Sequence, residues 1–560
     1  MPSTNRTTTL TRFGLLATAG LMFTAFYGDS SPAPAKELPE EKPVREHKPL
    51  KALTQDTHAL VKSNTDFALH LYGRLAGNQE HNLFFSPYSI TSVLTMVVEG
   101  ARGETAEQMG KVLRYADTFR HGSKLDATTP CDTPRIHTGM ATLNDHITSG
   151  SVPPPKPIRN RLTFLRKELK AANHQVGELQ KEGNWNAAYD VAARAQKLAA
   201  EINRLQVQYG QYELRVANAL WGEKTYPFRQ AFLDTLQKHY PGAGFFPVDF
   251  RSDFEGARNR INGWVEEQTH ERIKEIISKD VLDEKSKEMM RLVLTNAIYF
   301  KGEWAEVFQE RATKNDDFTL AGGTKVRVPM MHRGHMPGVR YAAFRANGTF
   351  FDTPRQVPEG KIDAKRVYPD EGGFALLELS YKGGEVSMVV IVPRSADGLP
   401  ALEKNLTSAR VQAWVGKLEQ RPVHVFLPKF KLETKYALEK SLQALGMVRA
   451  FKDPGLSDGA QFDGMCASAD PAEKLYISKV LHKAFVEVNE KGTEAAAATA
   501  VMMPKKDAAP REVPFFPTFK ADRPFVFLIR HVRTGSILFL GRMVNPAERA
   551  EAGRESRDRP

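Results

Sequence analysis

Between Gly492 and Ala500 the chain carries little side-chain bulk, reading Thr493-Glu-Ala-Ala-Ala-Ala-Thr-Ala500. The stretch directly follows an apolar, β-branched run with Phe485, Val486 and Val488, which reads as a strand. Taken alone, an Ala-rich run predicts a short helix or a linker, since Ala is the best helix former. A period of two organises the same residues differently. One face then holds Thr493, Ala495, Ala497, Thr499, Val501 and Met503; the other holds Glu494, Ala496, Ala498, Ala500 and Met502. The only charge falls on the second face, so the first can be buried without stranding a charge. Small residues let such a strand slide into a narrow gap, in the middle of an existing sheet.

Glu490-Lys-Gly-Thr-Glu-Ala-Ala-Ala-Ala-Thr499 resembles the hinge of the serpin reactive-centre loop. Arg523-Pro-Phe-Val-Phe-Leu-Ile529 and Gly535-Ser-Ile-Leu-Phe-Leu-Gly541, ending at Asn545-Pro546, are similar to the C-terminal strands of that family. The resemblance extends over about residues 55–548 and is interrupted at 152–210 and 344–369. It implies an α+β serpin fold: three β-sheets, eight or nine helices and an exposed reactive-centre loop in one domain. The hinge would comprise Glu490, Gly492, Thr493, Glu494, Ala495, Ala496, Ala497, Ala498 and Thr499. Asn82-Leu-Phe-Phe-Ser-Pro-Tyr-Ser-Ile90 resembles the first strand and second helix, and Ser86 and Ser89 match the polar "shutter" beneath the sheet. Two serines beside a proline are also what a helix cap needs. Asn296 and His482 complete the shutter by resemblance, and Trp304 matches the "breach", where insertion begins. Read without the family, Trp304 is plain core, Asn296 a satisfied buried amide and His482 a structural histidine.

Arg6 and Arg12 precede an apolar run from Phe13 to Tyr27, with small residues after it, including Ala33-Pro-Ala35. This layout predicts a signal peptide over 1–35, and with it a secreted, extracellular or periplasmic protein; an uncleaved anchor is the alternative. Residues 36–54, rich in Pro, Lys and Glu, read as a linker, and the charged tail 549–560 as disordered. Cys131 and Cys466 are the only cysteines, which excludes a disulfide framework and favours two free thiols.

In 152–210, Leu162, Leu165, Leu169, Ala172, Val176 and Leu179 recur at steps of three and four, as do Val191, Ala195, Leu198, Ile202 and Leu205. Gly183-Asn184 separates the runs, so the spacing predicts an antiparallel helical hairpin. Its first helix and lead-in carry Lys156, Arg159, Arg161, Arg166, Lys167, Lys170 and Lys181 against Glu168, Glu178 and Glu182. That surface suits an anionic polymer or a protein partner, although a merely solvated face reads the same way. Phe344–Pro369 shows no periodicity and reads as a surface loop. Ala257–Ile277 reads as one amphipathic helix.

No GxSxG, HExxH or phosphate-binding loop occurs, and His270-Glu271 has Lys274 where a zinc protease needs a second His. The expectation is therefore a monomeric inhibitor, not an enzyme, with no cofactor, metal or nucleic acid. A target serine protease would attack the loop, form an acyl-enzyme and be trapped as the hinge inserts. Counting from Glu490 by the family's hinge length puts cleavage between Lys506 and Asp507, with Lys505 and Arg511 as alternatives. A basic residue there suits a trypsin-like protease. The competing class is a non-inhibitory serpin acting as a carrier or chaperone, whose hinge is typically broken by charge, bulk or proline. Thr493 and Ala495–Ala498 keep the inhibitory pattern. Pro510, Pro514 and Pro517 make the far side of the loop unusual.

Overall fold

The computed structural model describes residues 50–77, 81–120, 128–150, 156–182, 184–208, 212–240, 243–279, 290–359, 364–468, 470, 474–490 and 512–548. Helix α1 (Gln55–Ala76) starts at Thr54, whose hydroxyl accepts from the Thr57 amide, and buries Leu60, Phe67 and Leu71. β1 (Leu83–Phe85) runs into α2 (Pro87–Val98). Ser86 is the N-cap of α2, and Pro87 follows where a missing N–H costs no hydrogen bond. Every residue of α2 is buried, as expected of a helix apolar on nearly all sides. Next come α3 (Gly103–Val112), α4 (Asp117–Arg120), α5 (Thr133–Ser149), α6 (Lys156–Lys181) and α7 (Trp185–Gln208). After β2 (Tyr212–Glu223) follow α8 (Gln230–His239), β3 (Gly244–Val248), α9 (Phe254–Gln268) and β4 (Leu292–Gly302). Strands dominate the rest of the chain.

One sheet has the order β14-β15-β4-β2-β3, with β14 at Phe430–Ala437 and β15 at Ile477–Val488. A second joins β1, β19 (Ile537–Met543), β18 (Phe525–His531), β11 (Val386–Pro393), β10 (Phe374–Ser380), β7 (Arg340–Phe344) and β12 (Glu419–Gln420), with β8 (Phe350–Phe351) paired to β7. A third has the order β17 (Thr518–Lys520), β13 (Val423–Pro428), β6 (Lys325–Met336), β5 (Lys314–Thr319). The main core lies between the first two sheets, where Ile298, Phe300, Leu432 and Val480 meet Phe527, Leu538 and Phe539. On the other face of the five-stranded sheet, Ile261 and Val265 of α9 pack on Trp221, Val293, Ala297 and Leu481.

Helix α9 ends earlier than its apolar pattern. Thr269 closes it, His270 and Glu271 take positive φ (50° and 61°), and Ile273, Ile276 and Ile277 enter the same core from irregular backbone. Hydrophobic spacing registered burial there, not helicity. The segment 344–369 is also more than a surface loop. Besides β8 it forms β9 (Gln356–Pro358), paired with β16 (Glu512–Pro514), and a small core of Val357, Val367 and Phe515. With no repeating spacing, this core left no periodic signature in the sequence. The two heptad runs do form paired helices, α6 and α7, around Leu162, Leu165, Ile202 and Leu205. Cys131 and Cys466 are both buried.

Candidate functional site in the five-stranded sheet

β15 and β4 are central neighbours running parallel, paired from Ile477↔Leu292 to Phe485↔Tyr299. Their outer ladders reach further: β4 pairs β2 as far as Gly302, and β15 pairs β14 as far as Val488. The last three residues of each strand therefore lack ladder partners across the middle. A strand entering here from the end of β15 would fold back antiparallel to both neighbours. One parallel ladder would be exchanged for two antiparallel ones, the slightly more stable kind. That is a source of free energy built into the strand order.

Beneath the pair lies a buried polar cluster built on α2 and three strands. Ser86 Oγ donates to the Leu538 carbonyl at 2.6 Å, tying the head of α2 to β19. Ser89 Oγ donates to Asn218 Oδ1 at 3.0 Å, and Asn218 Nδ2 returns a bond to the Ser89 carbonyl at 3.3 Å. Asn296 Nδ2 donates to Ser89 Oγ and Asn218 Oδ1. His482 Nδ1 meets Asn296 Oδ1, and its Nε2 accepts from the Ser86 amide at 3.1 Å. The ring is thus the neutral tautomer with its proton on Nδ1. Burial pushes its pKa down to about 3, the contact with Asn296 working the other way. Ser86, Ser89, Asn296 and His482 thus share one network, bridging β4 and β15 below the point where the ladder stops.

Asn218 belongs to that network and was missed in the sequence. The available signal was a polar residue in the middle of the apolar strand Tyr212–Trp221; only the register, Asn218 opposite Asn296, gives it meaning.

At the open end, Trp304 is buried and stacked on Tyr381, ring centroids 4.4 Å apart. Its Nε1 donates to the Asn489 carbonyl at 3.0 Å. The Phe308 amide donates to the Glu490 carbonyl at 3.1 Å. Glu490 itself is buried, with Thr313 Oγ1 donating to Oε1 at 2.7 Å and Lys429 Nζ 2.8 Å from Oε2. Burial opposes its ionisation, yet the Lys429 and Thr313 contacts hold the carboxyl below its ordinary range. The departure point of the loop is thus fixed from three sides. Gly492, Thr493, Glu494, Ala495, Ala496, Ala497, Ala498, Thr499, Lys505, Lys506, Asp507 and Arg511 lie outside the described residues.

The sequence model of the family described as Serpin (serine protease inhibitor) matches residues 62–181 and 165–546. The chain belongs to the serpin family. It is 34% identical over 491 residues to human (Homo sapiens) Serpin B4, covering 87% of this chain and 100% of that one. It is 33% identical over 494 residues to leukocyte elastase inhibitor A of Rattus norvegicus, covering 87% and 99%. Among solved structures, uncleaved ovalbumin superposes with a TM-score of 0.60 at 24% identity, covering 87% of this chain and 100% of that one. Native protease nexin-1 with heparin gives 0.60 at 23%, covering 88% and 100%. These structural likenesses establish the fold, and the sequence relatives support protease inhibition rather than catalysis.

One expectation is overturned. The serpin relatives, Serpin B4, Serpin B3 and the leukocyte elastase inhibitors, are intracellular, which points away from a secreted, extracellular or periplasmic protein; they lend no support to a signal peptide. The run Phe13–Tyr27 has the hydrophobicity of a leader, but hydrophobicity alone is not an address.

Proposed function

We propose that this serpin is a suicide substrate for a serine protease. The protease attacks the loop, forms an acyl-enzyme, and is trapped when the severed hinge inserts between β4 and β15. One observation carries the reading: the central parallel ladder stops at Phe485↔Tyr299 while its neighbours continue, directly under the exit of a small-residue hinge. The hinge Glu490–Thr499 would enter first. Trp304 and Glu490 would govern the mouth of the gap, and Ser86, Ser89, Asn218, Asn296 and His482 would re-pair as the strands part. Lys506 before the cut bond, with Asp507 after it, would place a basic side chain in a trypsin-like pocket with an acidic base. The test mixes the purified protein with a panel of serine proteases and looks for denaturant-resistant complexes. Cleavage without complex for every protease in the panel favours the carrier reading.

The hairpin supports a second, separate role. Arg161 pairs with Glu201, Arg194 with Glu168 and Lys181 with Glu178. Arg166, Lys167 and Lys170 are exposed and form no ion pair with another described residue. Such a stripe fits an anionic polymer, with attraction weakened by salt. Replacing 152–208 by a short Gly/Ser linker should remove any acceleration of inhibition by polyanions. Equal rates with and without polyanion in both proteins would end this reading.

A further inference from the structure

The segment between β7 and β10 grips the chain just beyond the reactive loop. β9 pairs with β16 through Glu512↔Pro358, Val513↔Val357 and Pro514↔Gln356, and the Phe515 amide donates to the Arg355 carbonyl at 2.9 Å. Behind this ladder, Val357, Val367 and Phe515 are buried together, with Tyr368 edge-on to Phe515. Across the junction lies Arg421, 7% exposed. Its Nη1 donates to the Thr353 carbonyl at 2.8 Å; its Nη2 donates to those of Pro354 at 2.8 Å and Phe515 at 3.2 Å. One guanidinium thus ties the inserted segment to the strand that follows the loop, satisfying three carbonyls.

Chain length makes this grip consequential. β13 leads through Lys429 into β14, and β17 pairs with β13, so the far end of the loop is anchored on the side where β15 finishes. Residues 491–511 number 21, and β15 has 12 residues. An uncut loop lying alongside β15 would use about 12 residues over roughly 40 Å. About nine residues would remain for the return, reaching at most about 32 Å. That falls short. Releasing 512–517 would add about 20 Å and make the path long enough.

We propose that Arg421 and the 344–369 segment form a clamp that positions the far end of the reactive loop, so that the loop enters the sheet only after it has been cut. Cleavage removes the need for a return path, and the clamp then costs nothing to insertion. This rests on the loop-insertion reading above, which the complex-forming assay with the wild-type protein checks separately.

The experiment incubates uncut protein at 37 °C, following inhibitory capacity, intact mass, monomer content and melting temperature. Arg421→Ala removes bonds from a charged donor and should speed loss of capacity by roughly tenfold or more. The product should be an uncut monomer that melts higher than the starting protein. Because Arg421→Ala strands three carbonyls, which also costs folding stability, a second variant joins Val357→Cys to Val513→Cys, a registered cross-strand pair. Its oxidised form should lose capacity more slowly than its reduced form and still trap protease. The clamp is overturned if Arg421→Ala decays at the wild-type rate, if its loss is only aggregation without a heat-resistant monomer, or if the oxidised and reduced pairs decay alike. Wild-type protein that forms no complex with any protease overturns the insertion reading itself, and the clamp with it.

Discussion

An imidazole that accepts a bond from a backbone amide cannot also take a proton at that nitrogen. His482 accepts from the Ser86 amide and is fully buried, so its pKa falls from 6.5 to about 3. The folded value lies below the unfolded one, so this contribution is intact above pH 6.5 and is lost as the pH falls from there toward 3. His482→Gln should therefore flatten the stability profile, removing up to about 3 kcal/mol of the wild-type decline between pH 7 and pH 4. Urea unfolding of both proteins at the two pH values measures it, and parallel profiles would refute the assignment. At the reactive bond, mass spectrometry of the released C-terminal fragment decides the residue. A new N-terminus at Asp507 is expected; one at Lys506 or Glu512 moves the cut to Lys505 or Arg511.

At the scale of elements, insertion as proposed would make the hinge a new strand and the gap its slot. Thr493→Arg would put a charge on the face that insertion buries, at a cost of several kcal/mol unless a partner is found. The yield of denaturant-resistant complex should collapse while cleavage of the loop continues. An undiminished yield would show that the hinge does not enter the sheet. The α6–α7 arm packs on its own core of Leu162, Leu165, Ile202 and Leu205. Replacing 152–208 by the Gly/Ser linker should then leave the melting temperature of the body within about 2 °C, a change of roughly 2 kcal/mol in a chain of this size. A larger fall would mean that the arm braces the sheet.

For the whole molecule, insertion as proposed would convert the five-stranded sheet into a more stable six-stranded one. Cleaved protein should melt well above the intact form, by about 10 °C, because insertion exchanges one parallel ladder for two antiparallel ones and 1 kcal/mol is worth roughly 1 °C in a chain of this size. Calorimetry of the intact and loop-cleaved forms reads this directly, and equal melting temperatures would mean that the cut hinge stays outside the sheet.

The sequence by itself determined what is written in local composition and spacing. The run of small residues at Thr493 and Ala495–Thr499 is visible because low side-chain bulk is a property of local composition. The heptads of α6 and α7 are visible because a two-helix seam repeats every three or four residues. Family resemblance added Ser86, Ser89, Asn296, His482 and Trp304, whose surroundings alone read as capping or core. Tertiary structure decided everything that depends on which strands lie side by side. Asn218 became part of the polar cluster only through its register with Asn296, and Glu490 became an anchored exit only because Thr313 and Lys429 arrive from other elements. The β9–β16 ladder and Arg421 join residues far apart in the chain through backbone carbonyls, which any residue type can supply, and so they leave no trace in side-chain pattern.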